Sequence, residues 1–259
     1  MHECRDLPAM VAAVDTSDWQ VLLARTAAEV QDALDGFNRW DEGGERPDQY
    51  ALDLVADARA LQVLKDASVR ILSEESGLTC GDSSEVVIID PVDGSTNASR
   101  RIPYYCTSLC VVDDEGPLVS LVLNLANGER FEAVRGGGAT LDGVAIAPTS
   151  CADLSDAIVG ISGWPARPLP SRQFRALGAC ALDLAAVACG RLDGYADPIS
   201  GHGVWDYVGG VLICTEAGVT VAERDGRPLI HLDHGQRRGP IAGATATLCG
   251  ELVSRLESS

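Results

Sequence analysis

The run Val86-Val87-Ile88-Ile89 constrains this chain more than any other stretch. It is short, apolar and β-branched throughout, which disfavours helix and reads as a buried strand. It ends abruptly at Asp90-Pro91, so the strand presents the Asp90 carboxylate at its C-terminal end. The rest of the chain has to supply the layers that bury such a strand.

Upstream, Leu23, Ala27, Val30, Leu34 and Phe37 recur at spacings of four, three, four and three, which predicts a helix over 18–40. Asp41-Glu42-Gly43-Gly44-Glu45-Arg46-Pro47 breaks it, and Leu54, Ala58, Leu61 and Leu64 predict a second helix over 50–72. Downstream, strands are predicted over 106–112, 118–125, 130–134 and 144–147. The turns between them are marked by Asp113-Asp114-Glu115-Gly116-Pro117, Asn127-Gly128 and Asp142-Gly143. That is a largely antiparallel sheet. The second half alternates strand 157–161, helix 174–190, strand 194–197, helix 204–217 and strand 219–222. The fold class is α/β (α+β), with an N-terminal α+β half over 1–150 and a C-terminal α/β half over 151–259. A chain of 259 residues can pack both as one compact unit. There is no internal repeat.

The formal charge of −18 argues against sequence-independent binding to nucleic acid or to an anionic membrane surface. No apolar run approaches the ~20 residues that cross a bilayer. Met1-His2-Glu3-Cys4-Arg5-Asp6 leads into no secretory signal, and the chain reads as cytoplasmic. Nine cysteines without a C-x-x-C pair give no zinc pattern, and most read as small buried residues kept reduced.

The stretch with most chemistry is Asp90-Pro91-Val92-Asp93-Gly94-Ser95-Thr96-Asn97. Two carboxylates on one tight turn can face one hard cation such as Mg²⁺, which takes oxygen ligands. The hydroxyls and N–H groups of Gly94-Ser95-Thr96, at a helix start, suit a phosphate. Taken alone, the same residues also describe a polar turn before a capped helix. Two further acidic clusters accompany it: Ser73-Glu74-Glu75-Ser76-Gly77 upstream, and Trp205-Asp206 opening a glycine-rich helix that ends at Thr215-Glu216-Ala217-Gly218-Val219. Each alone is an ordinary solvated turn or a charge at a helix dipole.

In this order the three segments resemble the inositol monophosphatase family, whose patterns are G-E-E, D-P-[IL]-D-G-T-T-N, and W-D-x-A-A-G followed by E-A-G-G. The matches run from about residue 50 to 230. The resemblance implies a layered α-β-α-β-α sandwich, usually a homodimer. It implies that Glu74, Asp90, Asp93, Asp206 and the carbonyl of Val92 hold two or three Mg²⁺ ions, with Asp90 bridging. Ser95 and Asp53 would orient the attacking water, and Gly94, Ser95 and Thr96 would receive the phosphate. Ser162, Arg175, Ala179 and Asp197 would line the leaving-group pocket, with Asp93 and Asp206 facing the same substrate.

The segment Asp48-Gln49-Tyr50-Ala51-Leu52-Asp53 departs from the family's V-T-x-x-D, keeping the aspartate and losing the threonine. Ala179-Cys180 replaces a hydroxyl-bearing residue and a small one. His202, four residues before Asp206, reads as a substrate or surface contact more than a ligand, and His231 and His234 read as solvated. The implied activity is Mg²⁺-dependent hydrolysis of a small phosphorylated polyol, sugar or amino-alcohol. The alternatives are a non-catalytic phosphate- or metal-binding relative, or a nucleotide or sugar bisphosphate phosphatase using Trp164 as an apolar surface.

Overall fold

The computed structural model describes residues 16–44 and 49–257, so the N-terminal hexapeptide with Cys4, the breaker residues 45–47 and Asp48 lie outside it. Two helices come first, α1 (Thr16–Asp35) and α2 (Ala51–Asp66). α1 buries Trp19, Leu23, Ala27, Val30 and Leu34, the stripe that its spacing predicts. The second helix stops short of Leu72. Ser68 takes a left-handed φ of 57°, and residues 70–73 pair as a strand instead.

The first sheet is built from β1 (Arg70–Ser73), β2 (Gly77–Thr79), β3 (Val86–Asp93), β4 (Cys106–Asp113), β5 (Gly116–Asn124), β6 (Arg130–Val134), β7 (Gly138–Leu141) and β8 (Val144–Ala145), with a short helix α3 (Ser95–Ser99) after β3. Their spatial order is β2-β1-β3-β4-β5-β6-β7-β8. All neighbours are antiparallel except β1 and β3, which run parallel. Besides β1, which replaces the end of the predicted second helix, sequence reading misses β2 and β7 in this sheet, which are glycine-led and too short to show a period.

The second sheet takes β9 (Ile158–Ile161) and β10 (Gln173–Arg175). After helix α4 (Cys180–Ala188) come β11 (Gly194–Ala196), helix α5 (Val204–Ala217), β12 (Thr220–Glu223), β13 (Pro240–Gly243) and a last helix, α6 (Ala246–Glu257). Its order is β10-β9-β11-β13-β12. The helix expected over 174–190 is therefore an edge strand followed by a shorter helix. Gln173–Arg175 pair with Ile158–Gly160, and the chain turns before α4 can begin.

Burial explains the β-branched run at 86–89. Val86 and Ile88 pack with α4 and α5, while Val87 and Ile89 pack with α1 and α2. Every residue of β3 is buried, because helices cover both faces of the sheet. α6 packs Leu248 and Leu252 on the other face of the second sheet, against Val159, Ile161, Ala196 and Ile241. The layers are α1/α2, first sheet, α4/α5, second sheet and α6: the expected α-β-α-β-α sandwich. α4 and α5 approach so closely that a Cβ on Gly210 would lie 2.7 Å from the Cβ of Leu184. Seven described cysteines carry free thiols, and Cys80 is disulfide-bonded. Among the described residues no helix is long and apolar enough to cross a membrane.

Candidate metal centre

The parallel register of β1 and β3 builds the first half of the site. Ser73 lies opposite Ile89, so the next residues, Glu74 and Asp90, emerge side by side, and the Glu74 N–H donates to the Ile89 carbonyl at 3.2 Å. α5, from the middle layer, points its first turn at the same sheet end and brings Asp206. One carboxylate oxygen from each of Glu74, Asp90 and Asp206 lies within 4.8 Å of the other two. Asp206 Oδ2 is held by the Gly203 N–H at 2.7 Å and by His202 Nδ1 at 3.1 Å.

Three acids this close repel one another. Burial, then Glu74 and Asp93, hold the Asp90 carboxyl well above the usual carboxylate range, and burial with Asp206 and Glu75 does the same to Glu74. With one oxygen of each inside the same 4.8 Å cluster, the charge on either of Glu74 and Asp90 raises the cost of charging the other. An all-oxygen donor set this crowded with negative charge fits a hard divalent cation, whose charge would offset the repulsion.

Asp93 is not part of this triad. Its Oδ1 accepts from the Cys180 N–H at 3.2 Å and its Oδ2 from the Ala181 N–H at 2.7 Å, so it caps α4 and joins the first half of the chain to the second. Burial, reinforced by Asp206, pushes its carboxyl up to about 7. Val92 lies buried between the two aspartates, and its N–H donates to Asp90 Oδ1 at 3.0 Å.

Gly94 turns the chain from β3 into α3 at a φ of 89°, and a Cβ there would meet Tyr104 O at 3.0 Å and Ala179 Cβ at 3.1 Å. Gly94→Ala is therefore expected to lower stability by roughly 2 kcal/mol, combining the left-handed penalty with crowding. Urea unfolding of the two proteins measures it, and equal midpoints would refute the strain.

The other expected site residues divide. Asp53 stands in the first turn of α2, accepts from the Tyr50 N–H at 2.8 Å, and lies close enough to raise the Glu74 pKa. Ser95 opens α3, and Thr96 receives the Tyr50 hydroxyl at 3.4 Å across the lost threonine position. Ser162 follows β9, its N–H donating to Ala196 O at 3.1 Å, with its side chain near that of Tyr195. Ala179 is buried at the α4 N-cap, against Gly94.

Asp197 is fully buried and turned into its own loop, accepting from the Ile199 N–H at 2.9 Å and the Gly201 N–H at 2.8 Å. Arg175 is exposed on edge strand β10, bonded to Gln173 and the Phe174 carbonyl. It lines a cleft with Tyr104, Leu177 and Arg191 that includes none of the triad.

The histidines correct the sequence reading. His202 bridges Asp206 and, through Nε2 at 3.0 Å, the Tyr195 hydroxyl. His234 is half-buried. Its Nε2 lies 2.8 Å from the Glu74 carbonyl oxygen, and its ring centroid lies 4.6 Å from that of Trp205. Nor is His231 free in solvent, since its Nε2 lies 3.4 Å from the Tyr207 hydroxyl. Two more acids stand nearby that the sequence reading does not single out. Asp57 accepts from the hydroxyls of Ser73 and Ser76 beside Glu74, and its place four residues after Asp53 on one helix face was the available signal. Asp183, fully buried, accepts from the Tyr104 hydroxyl at 2.7 Å.

The model of a family described as the inositol monophosphatase family matches residues 16–258. A relative named fructose-1,6-bisphosphatase/inositol-1-monophosphatase, from Methanothermobacter thermautotrophicus, is 32% identical over 92% of this chain and 96% of its own length. One named Nus factor SuhB, from Xylella fastidiosa, is 33% identical over 71% of this chain and 72% of its own. Among solved structures, inositol monophosphatase from Anabaena (Nostoc) sp. PCC 7120 superposes with a TM-score of 0.78 at 26% identity, covering 95% of this chain and 97% of that one.

Proposed function

The chain belongs to the inositol monophosphatase family, and from that premise we propose that it is a Mg²⁺-dependent phosphatase of a small polar phosphomonoester, of the inositol, sugar or histidinol phosphate class. The observation that carries this reading is the convergence of Glu74, Asp90 and Asp206 from three separate elements within 4.8 Å. The strongly anionic surface supports it too: at a net charge of −18, an anionic ester is welcome only where bound cations reverse the local field.

Glu74, Asp90 and Asp206 would hold the cation, joined by Asp93 and the Val92 carbonyl for two or three ions. When bound, it supplies Lewis-acid stabilisation of the phosphoryl oxygens and lowers the pKa of a water. The protein's own groups do the rest. Asp53 and the Ser95 hydroxyl orient the attacking water, and the Gly94 and Ser95 N–H groups donate to the phosphate oxygens, with Thr96 beside them. His202 and the Gly203 N–H hold Asp206 in place. Ser162, beside Tyr195, stands on the leaving-group side. We read the protein as a cytoplasmic homodimer.

A panel of inositol, sugar, histidinol and adenosine phosphates, with and without Mg²⁺, tests the reading. The expected result is Mg²⁺-dependent release of phosphate from one monoester class. The relative named as a fructose bisphosphatase brings sugar bisphosphates into the panel. Divalent-ion binding without turnover on any ester would instead favour a binding-only role, the alternative that the relative named as a Nus factor keeps in view.

A further inference from the structure

We propose that His234 is a positioning residue of this centre, tying Glu74 and Asp206 together from a loop near the end of the chain; the inference rests on the metal-centre reading above. A carbonyl oxygen can only accept, so the 2.8 Å contact makes His234 Nε2 an N–H donor to the Glu74 peptide. The same ring stacks on Trp205 at 4.6 Å with the planes 32° apart, and Trp205 is the residue before Asp206 in the first turn of α5. One imidazole therefore touches the backbone of one triad residue and the neighbour of another.

The loop carrying it is itself fixed. Asp233 Oδ1 accepts from the Gly235 N–H at 2.9 Å, and the Arg238 guanidinium donates to the Pro228 carbonyl at 2.9 Å. The Arg237 guanidinium donates to the His234 carbonyl at 2.9 Å and lies 5.1 Å from the Trp205 ring centroid. With both against it, the Trp205 side chain is only 2% exposed.

The geometry of Glu74 shows why such a tie is needed. Glu74 stands one residue beyond the end of β1, where the strand ladder no longer fixes it, and only its N–H is held by the sheet, through Ile89. The His234 bond to the carbonyl side of the same peptide region restricts the turn that aims the carboxylate. Groups of this kind, which orient a ligand without touching the ion, tune affinity by restricting the ligand to its binding geometry.

Two substitutions separate the hydrogen bond from the packing. His234→Phe keeps a ring against Trp205 but has no donor, and His234→Gln keeps an amide N–H at a similar reach. Titration calorimetry of the full chain with Mg²⁺, and with Mn²⁺ as a second probe, reads ion affinity directly. The expected result is about 10-fold weaker binding by His234→Phe, recovered to within about 3-fold of wild type by His234→Gln. Metal-free melting temperatures are expected to differ little.

Unchanged affinity in His234→Phe would overturn the proposal and leave the metal centre standing, as would a loss in His234→Gln as large as that in His234→Phe, which would show that the donated hydrogen bond does not set the affinity. A wild-type protein that binds no divalent ion would overturn both. Should His234→Phe fail to fold, His234→Asn, whose shorter amide falls short of the carbonyl, carries the same comparison against His234→Gln.

Discussion

Replacing Asp90 with asparagine is expected to lower Mg²⁺-dependent phosphate release by at least ~10³-fold while leaving the metal-free protein as stable as wild type, or more so. The two halves of this expectation share one cause. Asp90 is 2% exposed and is crowded by Glu74, Asp93 and Asp206. A cation turns that crowding into coordination, so removing the central charge removes the attraction on which binding depends. Without a cation the same charge is a burden. Asparagine is nearly isosteric, and its Oδ1 can still accept from the Val92 N–H, which the aspartate holds at 3.0 Å. Phosphate release and thermal melting of the two proteins, with and without Mg²⁺, check both parts. A variant that keeps wild-type turnover would sink the assignment of Asp90. One that loses turnover because the metal-free protein has unfolded would sink the account of its charge.

The second large effect is on pH. Burial above all pushes both Asp93 and Asp183 up to about 7, from an ordinary value of 3.8 in the unfolded chain. Below about pH 4 both are protonated whether the chain is folded or not, and the stability they contribute is fully present. Between 4 and 7 the unfolded chain gives up protons that the folded chain keeps. Stability therefore falls as pH rises, by about 1.4 kcal/mol per unit for each group, and the loss is complete above about 7. The metal-free protein should thus melt lower at pH 8 than at pH 5, by on the order of 10 °C for a domain of this size.

Mg²⁺ should restore most of the Asp93 share, because a cation favours the ionised form, and it should leave the Asp183 share. Asp183 Oδ2 is buried without a hydrogen-bond partner among the described residues, so Asp183→Asn should flatten what remains. Melting curves across pH decide this. A flat metal-free profile, or an Asp183→Asn slope equal to wild type, contradicts the argument.

What could be read from the sequence was whatever is encoded locally. The β-branched run of β3, the apolar stripe of α1 and the bounds of α5 follow from residue type and spacing, and the order of the acidic clusters carried the family resemblance. The structure then supplied the register that sets Glu74 beside Asp90. What failed was long-range or decided by competition. The aliphatic pattern around Leu177 continues smoothly into α4, and only the pairing of β10 with β9 shows where the helix must wait. Asp197 sits at a strand end, as expected, and no local pattern foretells that its own loop N–H groups reach its oxygens. Edge strand β10 sets Arg175 beside a cleft that holds none of Glu74, Asp90 and Asp206. No local pattern could have paired His234 with Glu74, from which it is separated by 160 positions.

The triad draws its carboxylates from the end of β1, from β3 and from α5, far apart along the chain. An unfolded chain cannot hold them together without paying for the closure of long loops. Any ion that fits them is bound by the folded state alone, and each tenfold rise in free ion beyond its Kd deepens the folded well by about 1.4 kcal/mol. For a protein that binds such an ion, the surrounding ion concentration would become part of its proteostasis: starvation for the ion would thin the folded population as well as empty the sites.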